Sequence, residues 1–250
     1  MMRLSVITIN YNNLEGLKKT VESILCQSWK NFEWIIIDGG SRDGSKEYIE
    51  HIASKKESNV SFWCSESDNG IYNALNKGIC HCTGDYISCM NSGDTFFSDE
   101  TLKLVFSKNN SDTVLYGDAL FEYTDHDEIR KYPNSISFKW LYNNTINHQA
   151  TFCCAEVLKN NLFDENYKIM SDRKLWLKLY LSGYSFKHIP LVIVRYDHLG
   201  ISATNAEKWT SEYQRLHNEI IPPYIQKVRI LDVIVKICIE ISCRFKSVLK

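Results

Sequence analysis

At 250 residues and 29.1 kDa the chain can bury a full core, as one large domain or as a domain with an appendage. Its hydrophobic and charged fractions, 44% and 24%, are those of an ordinary soluble globular protein. A formal net charge of -1 points away from a nucleic-acid or other polyanion binder and from an acidic tail.

The first hundred residues alternate strand and helix patterns. "RLSVITIN" is apolar and β-branched, and the following "NLEGLKKTVESILCQ" carries Leu14, Leu17, Val21, Ile24 and Leu25 at helical spacing. "FEWIIID" reads as a second buried strand and "SKEYIEHIA" as a second helix. "NVSFWC" is a short strand, "IYNALNKGI" a helix and "DYISCM" a fourth strand. Strands that are continuously apolar, alternating with helices, predict a mostly parallel α/β sheet covered on both faces. The middle of the chain changes character. "DTVLYGDALFEYTDHDEIRKYP" reads as two or three mixed or antiparallel strands, and an apolar strand follows "NHQ". "SDRKLWLKLYLSG" is a helix, two short strands follow in "YSFKHIPLVIVRY", and a helix runs from Ala206 to Ile220. "PP" at 222 and 223 breaks the chain before a last helical segment.

In such a sheet ligands bind beyond the carboxyl ends of the strands, and here those ends are polar. They read Asn10-Tyr11-Asn12-Asn13, then Asp38 with a glycine-rich loop, then Ser65 to Asp68, then Asn91-Ser92-Gly93-Asp94. The loop "DGGSRDGS" is neither GxGxxG nor a P-loop, and Asp43 or Ser45 reads as a cap for the next helix. Asp38, an acceptor-only group at a strand end, suits a ring N–H such as that of uracil, thymine or guanine.

Nine scattered cysteines are an odd number, and "CHC" at 80–82 lacks the second ligand pair of a zinc site. Reduced thiols packed as small hydrophobes fit better. The N-terminal "MMRLSVITINYNN" has no signal-peptide pattern, and no run of 18 apolar residues occurs, so the expectation is a cytoplasmic protein without a spanning segment.

Taken in order, "VITINYNN", "IIIDGGSRDGS", "SDNGIYNALNKGI", "GDYISCMNSGD", "NHQATF" and "SDRKLWLKL" resemble the family 2 glycosyltransferases of the GT-A fold. The resemblance runs from about residue 3 to about 205 and is nearest to bacterial enzymes of surface-polysaccharide and lipopolysaccharide synthesis. It implies a catalytic domain over 1–205 and a C-terminal extension over 206–250. It also implies transfer, with inversion, of a sugar from a nucleotide diphosphate donor with Mn²⁺ or Mg²⁺. Asp38 favours a UDP-sugar, and the acceptor would be a saccharide or lipid-linked saccharide.

The resemblance carries over to individual positions. Asp94 stands where the family has a metal carboxylate in a DxD-like motif, although this chain keeps only one acid there. His198 is the candidate second metal ligand. Asp172, in the first turn of its helix, takes the position of the base, a place where an Asp also stabilises the helix dipole. Asn10, Tyr11, Asp38, Asp68, Asn76, Lys77, Ser92, Gly93 and His148 are expected at the donor, with Gln149 beside His148 and Asp118 as an acceptor contact. The rival readings are a non-catalytic relative that binds nucleotide sugar or glycan, and a nucleotidyltransferase. The second lacks a basic loop after the first strand. Residues 225–250 are apolar and basic, which fits either a helix on an anionic membrane or one docked on protein.

Overall fold

In the computed structural model, residues 2–107, 111–197 and 206–220 are described. The chain divides into two compact units, Met1–Trp209 and Thr210–Lys250. Every residue of β1 (Leu4–Asn10) and β2 (Phe32–Asp38) is buried, as continuous apolar strands in the middle of a covered sheet must be. Together with β3 (Val60–Ser65) and β4 (Tyr86–Cys89) they form a parallel block in the order β3-β2-β1-β4. The sheet continues through β8 (Thr151–Cys154), β6 (Val114–Glu122), β9 (Phe186–Asp197) and β5 (Thr95–Phe96), with β7 (Asp127–Arg130) paired to β6.

Helix α1 (Leu14–Leu25) buries Leu17, Val21 and Ile24, and its first turn is capped by the Asn13 side chain, which accepts from Gly16 N–H at 3.1 Å. Asp43 has a double capping role. One oxygen accepts from Ser45 N–H ahead of α2 (Ser45–Ala53), and the other accepts from Leu14 N–H at the start of α1. Helix α3 (Ile71–His81) packs closely on β1, because a Cβ on Gly78 would stand 2.5 Å from Ile7 Cγ2. The remaining helices are α4 (Thr101–Phe106), α5 (Phe138–Asn143), α6 (Ala155–Asn160), α7 (Ser171–Leu181) and α8 (Ala206–Ile220). No helix among the described residues is long and apolar enough to cross a membrane.

The chain leaves β1 in one direction to build β2 and β3, then returns to place β4 on its other side. The crevice above the carboxyl ends of β1 and β4 is therefore the topological switch point of the sheet. Two features beyond the parallel block bring further residues to that crevice. Strand β8 runs antiparallel to β4, with Ile87 opposite Cys153, so the residues just before β8 lie at the carboxyl end of β4. β5 pairs with β9 so that Thr95 faces Arg195, which carries the end of β9 past the turn before β5.

The stretch 186–197 is one strand rather than the expected two. Tyr116 faces His188 and Asp118 faces Val192, so three residues of β9, including Pro190, bulge opposite Gly117. A Cβ at Gly117 would stand 2.4 Å from Ile193 Cγ1 and 2.7 Å from Leu191 O, so glycine makes room for the bulge. The bulge in turn accommodates a proline that has no N–H for the ladder.

Candidate active site

The turn Asn91–Asp94 that follows β4 is held from below by α1. The Thr20 hydroxyl donates to Asp94 O at 2.7 Å and accepts from Gly93 N–H at 3.0 Å. Ser92 N–H donates to Ile9 O, and Ser92 O accepts from Asn13 Nδ2 at 3.1 Å. Gly93 has φ +107°, in the left-handed region that favours glycine, and a Cβ there would lie 3.2 Å from Asp197 Oδ2. The turn thus brings the Asp94 backbone against the end of β9.

The Asp94 side chain is buried. Its oxygens accept from Gln149 Nε2 at 2.9 Å and from Asp197 N–H at 3.0 Å. Burial pushes its pKa up to about 7. The bonds from Asp197 and Gln149 and the proximity of His148 act against that rise, while the Asp197 carboxylate adds to it. Asp172 opens α7 and is also buried, with Oδ1 accepting from Arg173 N–H and Oδ2 lying 3.5 Å from His148 Nδ1. The other ring nitrogen, His148 Nε2, lies 3.3 Å from Asn91 Nδ2. Both contacts are satisfied together by the neutral tautomer with the proton on Nδ1, an assignment made from the hydrogen-bond pattern. The adjacent residues His148 and Gln149 therefore each hold one of the two carboxylates.

These groups line a cleft of about 960 Å³ that also takes in Asn10, Tyr11, Asp68 and Ser92. Tyr11 is 67% exposed at the cleft. A Cβ on Gly39 would meet the Tyr11 ring at 3.1 Å and Asp68 Oδ2 at 2.7 Å, so the bare glycine backbone keeps a slot open between them. Three buried oxygens of the lining, Asn10 Oδ1, Asn91 Oδ1 and Ser92 Oγ, have no hydrogen-bond partner. Unsatisfied buried acceptors cost about 1–3 kcal/mol each and are rare away from functional sites.

The donor set suits a hard divalent cation, since Asp94 and Asp197 offer carboxylate oxygens and Asn91 and Ser92 offer neutral ones. Each Asp94 oxygen spends one acceptor position on a protein donor and keeps another. No cluster of three or more His, Cys, Asp or Glu side chains that could hold a metal ion occurs among the described residues. Asp197 was not among the residues anticipated for the site. Its sequence signal is an acid at the tip of an apolar strand; its neighbour His198, the expected second ligand, lies outside the described residues.

Several expected site residues have other roles. Asp38 is fully buried and does not present a free acceptor. Oδ1 accepts from Asn10 Nδ2 and the Ser41 hydroxyl, and Oδ2 from Ser41 N–H and the Ser65 hydroxyl. Burial raises its pKa, but these four bonds outweigh that and hold it below the usual carboxylate range. A ring N–H reaches it only by displacing one of those donors. Asn76 faces away from the cleft because its amide pairs with both the N–H and the O of Phe163 and with Glu165, while Asn73 takes the other Glu165 oxygen. Lys77 pairs with Glu66 at 2.8 Å and caps Ser67 O, bracing the loop after β3. Asp118 lies beneath the cleft, accepting from Tyr132 N–H and paired with His188 Nε2 at 2.9 Å.

A nine-stranded, mostly parallel sheet with acids gathered at its switch point is the GT-A, Rossmann-like architecture of nucleotide-sugar glycosyltransferases. Residues 5–157, more than half of the chain, match Glycosyl transferase family 2, and the chain belongs to that family. It is 32% identical over 181 residues to the uncharacterized glycosyltransferase MT1564 of Mycobacterium tuberculosis (strain CDC 1551 / Oshkosh), covering 70% of this chain and 68% of that one. It is 25% identical to TuaG of Bacillus subtilis (strain 168), a putative teichuronic acid biosynthesis glycosyltransferase, covering 86% of this chain and 89% of the relative. Among solved structures, S. aureus TarS 1-349 in complex with UDP-GlcNAc superposes with a TM-score of 0.65 at 19% identity. That match covers 78% of this chain and 58% of TarS 1-349, so the chain spans little more than half of that relative. The mannosyltransferase PcManGT of Pyrobaculum calidifontis, in complex with GDP-Man and Mn²⁺, gives 0.60 at 16% identity, covering 78% and 56%.

Proposed function

We propose that the protein is an inverting glycosyltransferase. In this reading it moves a sugar from a UDP-sugar to a saccharide or lipid-linked saccharide in cell-surface polysaccharide synthesis. The observation that carries the reading is the His148-Gln149 pair, which holds a candidate base, Asp172, and a candidate metal carboxylate, Asp94, in the same cleft. The uridine preference draws on the likeness to TarS, crystallised with UDP and with UDP-GlcNAc, rather than on Asp38. The polysaccharide role draws on the likeness to TuaG.

The geometry supports a division of labour. Tyr11 offers an exposed ring face for the nucleobase, and Asp68 stands across the Gly39 slot. Asp94 and Asp197 would hold Mn²⁺ or Mg²⁺, which supplies charge stabilisation for the departing diphosphate without a general acid. Asp172 takes the proton of the acceptor hydroxyl as its oxygen bonds to the anomeric carbon. On the opposite side the bond to the phosphate oxygen breaks, and UDP leaves with the electron pair. His148 donates to Asp172 through Nδ1 and orients that carboxylate.

The test is Asp172→Asn. Donor binding, read as thermal stabilisation by UDP-sugar with Mn²⁺, should persist. Transfer should fall by about 10²–10⁴-fold, the usual contribution of a positioned base. NMR of the product should show the anomeric configuration reversed. Unchanged turnover would remove Asp172 as base, and donor binding without transfer in the wild type would favour a non-catalytic relative. The reading extends to a cytoplasmic enzyme that touches the membrane through residues 225–250, which lie outside the described residues. Deleting them should then move the protein from the membrane to the soluble fraction.

A further inference from the structure

The two residues that hold the acids, His148 and Gln149, stand on a short stretch, 146–149, that leads into β8. Its backbone is pinned on both sides. Trp176 Nε1 donates to Ile146 O at 3.0 Å, and the Thr151 hydroxyl donates to His148 O at 2.7 Å. Between those pins lies Asn147, and the phenol of Tyr132 meets it there. The hydroxyl donates to Asn147 Oδ1 at 3.1 Å and accepts from Asn147 N–H at 3.3 Å, so one oxygen clamps both side chain and backbone. Tyr132 is buried, and burial pushes its pKa up to about 12. The Asn147 N–H and Arg130 act against that rise, while Asp172 and Asp118 add to it. The phenol therefore keeps its proton at neutral pH and remains a donor.

The sheet explains why these residues meet. Strand β9 takes one edge of β6, so β7 and β8 lie end to end along the other, with Arg130 opposite Ala119 and Thr151 opposite Tyr116. The chain leaving β7 and the chain entering β8 converge on Gly117 and Asp118, where neither joins the ladder. Asp118 fixes the first of them. Its Oδ1 accepts from Tyr132 N–H at 3.0 Å and faces His188 Nε2 of β9 at 2.9 Å. Trp140 sets the Tyr132 ring, edge to face at 6.0 Å and 85°. Buried contacts thus run from the sheet through Asp118, Tyr132 and Asn147 to the His148 ring. The last of them, His148 Nδ1 to Asp172 Oδ2 at 3.5 Å, is at the limit of a hydrogen bond, so a slight shift of the ring breaks it. Gln149 Nε2, at 2.9 Å from Asp94, has more margin.

We propose that Tyr132 is a positioning residue for sugar transfer, its hydroxyl acting through Asn147 to set the His148 imidazole against Asp172. The kinetic half of this rests on the transferase reading, whereas the placement of the imidazole is read without substrate. The experiment uses the full-length protein and the variant Tyr132→Phe, which keeps the ring against Trp140 and removes only the clamp. Tyr86→Phe is the control. Its buried hydroxyl also donates to a backbone oxygen, Asp112 O at 2.7 Å, but at the amino end of β4.

Both variants should melt about 2–6 °C below the wild type. Only Tyr132→Phe should lose kcat, about tenfold, with the Kd for UDP-sugar within about threefold of the wild type. Because that loss passes through His148, adding Tyr132→Phe to His148→Ala should lower kcat by less than about twofold more. Side-chain nitrogen NMR of the substrate-free protein, with the His148 signals identified from the His148→Ala spectrum, should show the proton on Nδ1 in the wild type. In Tyr132→Phe it should show a mixture of both tautomers. If Tyr132→Phe does not fold, Asn147→Ala opens the clamp from the other side and should give the same kinetic and NMR result. A Tyr132→Phe protein that melts lower but keeps its kcat and its His148 signals would overturn the proposal. So would a loss of kcat that multiplies in full with that of His148→Ala. A wild type without transfer would count against the transferase reading, and the NMR comparison would then decide whether Tyr132 places the imidazole.

Discussion

Glu33 lies in the middle of β2, only 3% exposed, far from the cleft, yet it sets where β4 begins. Its carboxylate accepts from the Ser5 hydroxyl at 2.6 Å, Thr83 N–H at 2.5 Å, the Thr83 hydroxyl at 2.7 Å and Gly84 N–H at 3.1 Å, and Arg3 pairs with it at 3.2 Å. Replacing it with alanine strands the Thr83 N–H and leaves Arg3 without its partner. Ser5 can still serve Gly84, which donates to its oxygen at 2.9 Å. Arg3 is about half exposed and can be hydrated, so the cost is that of the stranded donor and the lost bonds, about 2–4 kcal/mol, and in a chain of this size that lowers Tm by about 5–10 °C.

The pH dependence of this site has a definite sign. Burial raises the pKa of Glu33, but the bonds from Ser5 and Thr83 and the charge of Arg3 outweigh it, so the folded pKa lies below the ordinary 4.5. Its contribution is therefore complete above the unfolded value and is lost as pH falls through the depressed folded one. Thermal unfolding of wild type and Glu33→Gln, followed by circular dichroism from pH 3 to 8, should show a constant gap at neutral pH that narrows below about pH 4.5. A Glu33→Ala protein that melts within about 2 °C of the wild type, or a gap that widens in acid, would refute the reasoning.

Three further outcomes follow from the site. Gly93→Ala places a methyl group at φ +107° against Asp197, so Mn²⁺-dependent turnover should fall at least tenfold while stability drops by only about 1–3 kcal/mol, measured by urea unfolding. His148→Ala removes the donor to Asp172 and the partner of Asn91, and should lower kcat while leaving the Kd for UDP-sugar within about threefold. Asn76→Leu strands Phe163 N–H and O, so it should cost about 2–4 kcal/mol of stability, and in the folded protein KM for the donor should be unchanged, since Asn76 serves the loop at 163–165 rather than the donor.

The parallel half of the fold was legible in sequence because a strand covered on both faces cannot hide its apolar run. "VITIN", "WIII" and "YISC" carry that pattern, and the polar residues that end them mark the sheet edge where a ligand sits. The second half was less so. Strand β9 reads as two pieces because Pro190 interrupts the pattern, and only its pairing with β6 through a bulge at Gly117 makes it continuous.

Sequence by itself determined the α/β class and the polar strand tips and, by family resemblance, singled out Asp94 and Asp172 as candidates. Those depend on local pattern and order along the chain, which a sequence records directly. Only the tertiary structure decided what each polar side chain faces. Asp38 turned inward to Ser41 and Ser65, Asn76 to Phe163, and Lys77 to Glu66, because each met a nearby donor or acceptor that satisfies it without a ligand. Asp197 came to Gly93 through a pairing of β5 with β9 about a hundred residues apart in the chain. A side chain's partners are set by such long-range register, and no local pattern encodes that.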